Sequence, residues 1–174
     1  YYSLNQTDKV VEVLERMVKL YNKPEYWVQL SGMYGETGRE KQQLAVIEAA
    51  YQQGFLTSKS DLRQLAQVYL YNGLAFKAAK VMSDAIDKDI AEKTAKNYAF
   101  VAEAMIQAKE DEKSITYFAK AADLSEHGKY DQRLAEVFVN TEQYEEAADA
   151  ARKALDKGGL DFESNAFVAL GMAQ

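Results

Sequence analysis

The chain has 174 residues, of which 48% are hydrophobic and 28% are charged, and its formal net charge is −6. Residues 1–87 carry ten basic and ten acidic side chains, and residues 88–174 carry eleven basic and seventeen acidic ones, so the excess of acid falls entirely in the second half. This distribution argues against binding to nucleic acid or docking on an anionic membrane, because both need clustered Lys and Arg.

Cysteine is absent, which excludes a disulfide framework and a thiolate site and is compatible with either the periplasm or the cytoplasm. No apolar run approaches the roughly 18 residues that a membrane-spanning helix needs, so no direct membrane insertion is expected. No secretory leader is recognisable. Because the chain begins at Tyr1 rather than at Met, we expect it to be a fragment of a longer protein.

Apolar residues recur at helical spacing along the whole chain, and the single proline, Pro24, leaves little to interrupt them. The first helix is expected over 8–21, with Thr7 or Asp8 as its N-cap, and Ser58 and Ser60 are cap candidates further on. The later helices are expected as pairs at 25–36 and 40–53, 60–72 and 75–87, 90–108 and 111–124, and 129–141 and 144–157, followed by an unpaired helix at 161–174.

A short motif recurs every 33 to 36 positions. In most copies it begins with a large residue, has a leucine or valine three positions later followed by a small residue, and ends three positions after that at what we call the closing residue. Its first copy runs from Trp27 to Tyr34. A period of this length is typical of a solenoid, in which each unit packs only on its neighbours. We therefore predict an all-α, right-handed α-solenoid with antiparallel helix pairs at about 25–53, 60–87, 90–124 and 129–157, and half repeats at 8–21 and 161–174, forming one domain over 1–174. The closing residues are Tyr34, Tyr69, Met105, Phe138 and Gln174, and small residues recur in the second helices at Ala78, Ala85, Ala121, Ala147, Ala151 and Ala154.

These residues resemble the tetratricopeptide repeat (TPR) family over about residues 8–174. The best match is the pair at 60–87, where Leu62, Leu65 and Tyr69 are followed by Met82. We predict that Leu65 and Tyr69 lie in the core between stacked pairs and do not contact a ligand. The resemblance implies a non-catalytic protein that binds a partner in a concave groove. Departures from the family pattern are Ser31, Gln43, Ser114 and the near absence of proline between pairs.

A narrower resemblance involves the stretches 25–34, 50–56, 65–72 and 77–81. They are similar to a group of exported proteobacterial TPR proteins that accompany TonB–ExbB–ExbD energy-transduction systems. This resemblance implies a periplasmic protein whose partner is a TonB-system component, with a cytoplasmic location as the alternative.

No catalytic constellation is visible, and neither a cofactor nor a metal is expected. His127 is the only histidine, and a turn exposed to solvent is favoured for it over a metal ligand or a general base. The acidic runs at 110–112 and 145–146 fit helix starts, where negative charge suits the helix dipole. The sequence therefore predicts that the chain is not an enzyme.

The register of the repeat predicts which side chains of the first helices face the groove. Some TPR proteins hold a terminal carboxylate with basic and amide side chains at such positions, and Arg63, Gln67, Lys129 and Arg133 resemble that set in part, although Phe100 replaces an amide. The alternative is ordinary surface charge, with these cations paired to Glu103 and Glu136. The predicted partner-binding residues are Arg63, Gln67, Tyr71, Phe100, Glu103, Gln107, Lys129, Arg133, Glu136 and Asn140.

Three classes of function remain open at this point. The first is a scaffold that binds a protein or peptide segment. The second is a regulatory helical-repeat module of a larger enzyme or assembly factor. The third is an architectural solenoid that associates with itself through its open end helices. An additional domain in the full-length protein would favour the second class over the first.

Overall fold

A computed structural model of the chain describes residues 4–160 together with 166, 168, 170 and 171. Within these residues there are nine α-helices and no strand. The helices are α1 (Leu4–Tyr21), α2 (Pro24–Glu36), α3 (Glu40–Gln52), α4 (Lys59–Tyr71), α5 (Ala75–Asp87), α6 (Ala95–Gln107), α7 (Asp111–Asp123), α8 (Lys129–Asn140) and α9 (Tyr144–Lys157).

Seven of the eight paired helices match the predicted bounds closely, and α6 is the exception. We expected it from residue 90, but it begins at Ala95, where the Thr94 side chain accepts a hydrogen bond from the backbone N–H of Asn97. The preceding turn passes through Asp89 at a φ of 55°. Glycine takes this left-handed conformation after α3 and α9. Because aspartate takes it here, no glycine in the sequence marked the turn before α6.

The first helix also begins earlier than predicted. Since α1 starts at Leu4, Thr7 and Asp8 lie inside the helix, and the prediction that either caps it is wrong. Asp8 instead accepts a hydrogen bond of 2.6 Å from Arg39. Of the two later cap candidates, Ser58 is the N-cap of α4 and forms a reciprocal capping box with Asp61.

The described chain divides into two compact units, Tyr1–Leu74 and Ala75–Gln174. The boundary falls in the turn between α4 and α5, inside the predicted pair at 60–87. In the first unit, apolar residues of α1 pack with residues of α2, and Tyr26, Trp27, Met33 and Val46 pack against them. This core consists of Val11, Leu14, Val18, Leu30 and Tyr34.

In the second unit, α6 packs on α7, α7 on α8, and α8 on α9. The predicted small residues of α7 and α9 are buried, and Phe118 on α7 is fully buried as well. Small side chains let helices approach closely. The chain also approaches closely at Gly128, where an added Cβ would lie 2.1 Å from the carbonyl oxygen of Ala154, so any larger residue there would force the start of α8 and the end of α9 apart.

The predicted helix at 161–174 lies mostly outside the described residues. Ala166, Val168, Leu170 and Gly171 are described and helical, and Ala166 is buried. The other residues of this predicted helix, including Phe167 and the closing residue Gln174, lie outside the described residues.

Candidate functional site

Arg133 on α8 forms the most elaborate polar cluster among the predicted site residues. Its Nε donates to Glu103 Oε1 at 2.9 Å and its Nη2 donates to Glu103 Oε2 at 2.8 Å, so a bidentate ion pair joins α6 and α8. Its Nη1 donates to Glu136, and the guanidinium carbon lies 5.8 Å from the centre of the Phe118 ring.

This pairing changes what Arg133 offers to a partner. Hydrogen bonding to Glu103 raises the pKa of Arg133, with smaller contributions from the charges of Glu103 and Glu136, while desolvation acts in the opposite direction. Two carboxylates surround one guanidinium, so the cluster carries a net negative charge. The geometry therefore favours the alternative stated from the sequence, in which Arg133 is already paired.

The other predicted residues of the second unit are less tightly held. Lys129 is exposed, and its Nζ lies 4.7 Å from the centre of the Tyr130 ring. Phe100 is half-buried, and Gln107 is exposed. Asn140 is exposed and lines a cleft of about 470 Å³ between the α6–α7 and α8–α9 turns.

In the first unit, α4 carries Arg63, Gln67 and Tyr71. Leu65 and Tyr69 on the same helix are 0% and 3% exposed, which confirms the prediction that they belong to the core. Arg63 is half-buried, whereas Gln67 is exposed and Tyr71 is 69% exposed. The Tyr71 hydroxyl donates to Glu40 Oε1 at 2.7 Å, which raises the pKa of Tyr71.

Gln67 and Tyr71 border a cleft of about 470 Å³ between α4 and the end of α2. We call it the α4 cleft. Only part of its lining was predicted, because the predicted partner-binding residues include Gln67 and Tyr71 on α4 but none at the start of α3. It is lined by Gly35, Gly38, Glu40, Gln43, Gln64, Gln67, Val68 and Tyr71.

An ion pair with a buried carboxylate in the second unit was not predicted from the sequence. Asp131 stands where the repeat motif has a large residue, yet it is 3% exposed. Lys157 Nζ donates to Asp131 Oδ2 and to the carbonyl oxygen of Ala122, both at 2.8 Å. These three residues border a cleft of about 560 Å³ formed by α7, α8 and α9.

The described residues hold no group of three or more His, Asp or Glu side chains that could bind a metal ion. His127 is exposed in the turn before α8, and the run at 110–112 forms the start of α7, as predicted. None of the described helices is both long and apolar enough to cross a bilayer.

No family model matches the chain, and none of the curated proteins does. Solved structures do match its fold. A MamA structure from Desulfovibrio magneticus RS-1 has a TM-score of 0.62 at 19% identity, with 87% of this chain and 85% of that chain covered. The C-terminal part of a TPR repeat-containing protein from Cytophaga hutchinsonii has a TM-score of 0.65 at 17% identity, with 97% and 70% covered.

A third similar structure is YrrB, described as a TPR protein with an unusual peptide-binding site. Its TM-score is 0.63 at 11% identity, with 94% of this chain and 82% of that chain covered. These likenesses extend over most of the chain and concern the fold. The chain therefore has a tetratricopeptide-type fold, the all-α, α-solenoid class of helix pairs that its sequence period predicts.

Proposed function

We propose that the chain is a non-catalytic scaffold that binds a protein or peptide segment on the polar faces of the first helices of its helix pairs. In the first unit this face belongs to α4, and in the second it belongs to α6 and α8. TPR-type folds commonly serve protein interaction, and YrrB is described as having a peptide-binding site.

The observation that carries this proposal is the contrast between the two sides of α4. Leu65 is fully buried, whereas Tyr71, on the other side, is 69% exposed beside a cleft. A large aromatic side chain held on a rigid helix at the rim of a cleft is typical of an interaction site.

The proposal is tested by capturing partners from a lysate of the source cells with the 174-residue chain. The informative variant combines Arg63→Glu with Lys129→Glu, because each lies on a proposed face. Arg133 is left unchanged, since a glutamate there would bring three carboxylates together and confound binding with folding. We expect the double variant to lose the captured proteins while its circular dichroism spectrum remains that of a helical protein.

The matched control combines Lys41→Glu with Lys88→Glu, which makes the same change of charge at exposed positions on α3 and after α5. It should capture the same proteins as the unchanged chain. Equal capture by both double variants would mean that these helix faces are not the site. Equal loss from both would assign the effect to net charge alone.

For the identity of the partner, we propose a periplasmic component of a TonB–ExbB–ExbD system. The support is the sequence resemblance at 25–34, 50–56, 65–72 and 77–81 and the lack of cysteine. Fractionation of cells that produce the full-length protein tests the location. Titration of the chain with the periplasmic segment of TonB tests the partner, and a cytoplasmic location or an absence of binding would contradict this identity.

A further inference from the structure

The α4 cleft collects three glutamine side chains whose hydrogen-bonding capacity is not used by the fold. Within the described residues, the side-chain amides of Gln43, Gln64 and Gln67 form no hydrogen bond to another residue. Gln64 and Gln67 lie three residues apart on α4 and therefore project from neighbouring positions on one side of the helix. A glutamine amide offers a donor pair and an acceptor together, as the peptide backbone does.

Gly35 explains how the third amide reaches this cleft. A Cβ on Gly35 would lie 2.5 Å from Nε2 of Gln43, so the Gln43 amide occupies the space that any other residue would fill. The glycine at this helical position therefore brings the amide of α3 against the end of α2. Gln43 is also one of the departures from the TPR pattern, which usually has alanine there.

The charge of the cleft is set by Glu40. It is the one carboxylate among the described residues that line the cleft, and no Lys or Arg lines it. The neighbouring Arg39 is directed to Asp8, with the two side-chain atoms 2.6 Å apart. A partner carboxylate would be repelled here, whereas an ammonium or guanidinium group would be attracted.

The ring of Tyr71 adds a second feature that suits a cation. Its hydroxyl is tied to Glu40 Oε1 at 2.7 Å, and most of the ring is open to solvent. The Glu40 carboxylate therefore lies at the hydroxyl edge of an exposed aromatic ring. A cation that approaches Glu40 can also contact the ring, and both interactions are favourable.

We propose that the α4 cleft binds an extended peptide segment, which places a lysine or arginine side chain against Glu40 and Tyr71 and its backbone against the glutamine amides. This inference rests on the proposed scaffold function and adds the chemistry of the bound segment. It assigns basic residues to the α4 cleft only, because Arg63 is not among the residues that line this cleft.

The test follows the side-chain NH₂ signals of the three glutamines by NMR in the 174-residue chain. The probes are three capped pentapeptides that differ only at the centre, acetyl-AAKAA-amide, acetyl-AAQAA-amide and acetyl-AAEAA-amide. We expect the lysine probe to shift the glutamine signals and to bind about fivefold more tightly than the glutamine probe. The glutamate probe should bind more weakly than either.

Glu40→Gln should remove the preference for lysine without abolishing binding of the glutamine probe. The matched control is Glu25→Gln, which removes the same charge from an exposed position in the first turn of α2. Glu25 lies about 15 Å along that helix from Gly35, which lines the cleft. Gly35→Ala should weaken all three probes, because its methyl group displaces the Gln43 amide.

Equal shifts with all three probes, or stronger binding of the glutamate probe, would overturn the assignment of a basic segment. Shifts confined to α6 and α8 would overturn the α4 cleft and leave the scaffold function standing. If no signal of the chain moves with any probe, the inference fails, and the capture experiment described above decides the scaffold function separately.

Discussion

Two tyrosines on α4, only two residues apart, have opposite environments. Tyr69 is 3% exposed and donates a hydrogen bond to Glu48, whereas Tyr71 is 69% exposed. We predict that Tyr69→Ala lowers the free energy of unfolding by about 3–5 kcal/mol, because it removes a buried ring and leaves a cavity. Denaturant unfolding followed by circular dichroism measures this change.

Tyr71→Ala is the matched control on the same helix. It removes the same atoms from the surface together with an exposed hydrogen bond, so we expect its effect on unfolding to stay below about 1 kcal/mol. Similar destabilisation by the two substitutions would contradict the register of α4.

From the environment of Tyr34 we predict that the free energy of unfolding depends on pH in the alkaline range. Burial raises its pKa from 10.0 to about 12, and its hydrogen bond to Glu15, 2.6 Å long, contributes in the same direction. Because the folded state favours the neutral phenol, this stabilisation is complete below pH 10 and is lost as the pH rises from 10 towards 12.

The measurement compares the unchanged chain with Tyr34→Phe between pH 9 and pH 12. The difference in unfolding free energy should fall by about 2–3 kcal/mol across this interval, since each unit of pKa corresponds to about 1.4 kcal/mol. A difference that stays constant would mean that the Tyr34 phenol ionises with an ordinary pKa.

At the scale of elements, Lys157 joins three helices of the second unit. From the last turn of α9 it reaches a carbonyl in the last turn of α7 and Asp131 in the first turn of α8. The side chain of Asp131 is 4% exposed, so loss of its cation leaves a buried carboxylate unpaired. We predict that Lys157→Ala costs about 1.5–3 kcal/mol of unfolding free energy.

Lys153→Ala is the control for this prediction, because Lys153 is exposed one turn earlier on the same helix. Its effect should lie within about 0.5 kcal/mol of zero. Urea titration of both variants decides the point, and equal effects would show that the contact of Lys157 with Asp131 does not stabilise the unit.

At the scale of the whole molecule, each compact unit has its own buried core. Leu65 belongs to the first unit and Phe118 to the second, and both are fully buried. In repeat folds, stability is set by nearest-neighbour contacts, so a cavity should act mainly on its own unit. We predict that Leu65→Ala reduces amide protection mostly in α2 to α4, and that Phe118→Ala reduces it mostly in α6 to α8.

Hydrogen exchange measured by mass spectrometry on the two variants tests this prediction directly. Each variant serves as the control for the other, because both create a cavity of comparable kind in a different unit. Uniform loss of protection over 4–160 in both variants would indicate a single cooperative unit instead.

The sequence determined the elements where local signals agreed. The repeat period predicted the helix pairs, and it correctly assigned Leu65 and Tyr69 to the core. Gly38, Gly54 and Gly73 adopt positive φ in the gaps between the predicted helices. Where the local signal was missing, as at Asp89, the predicted start of α6 was five residues too early.

Partners in the candidate site were decided only by the tertiary structure. The pairing of Arg133 with Glu103 joins residues 30 apart in sequence, and the contact of Tyr71 with Glu40 joins residues 31 apart. Periodicity shows which face of a helix a side chain occupies, but it does not show which residue of another helix stands opposite. That depends on how the helices pack.

What the sequence by itself determined is the all-α repeat fold, because helical spacing and a period of 33 to 36 residues can be read along a single chain. Only the tertiary structure showed that Arg133 is already paired, that Asp131 is a buried acid held by Lys157, and that the α4 cleft gathers three amides around Glu40. The physical reason is that the strength of a charge and the use of an amide depend on burial and on neighbours from other helices. The way the helices pack determines which residues these neighbours are.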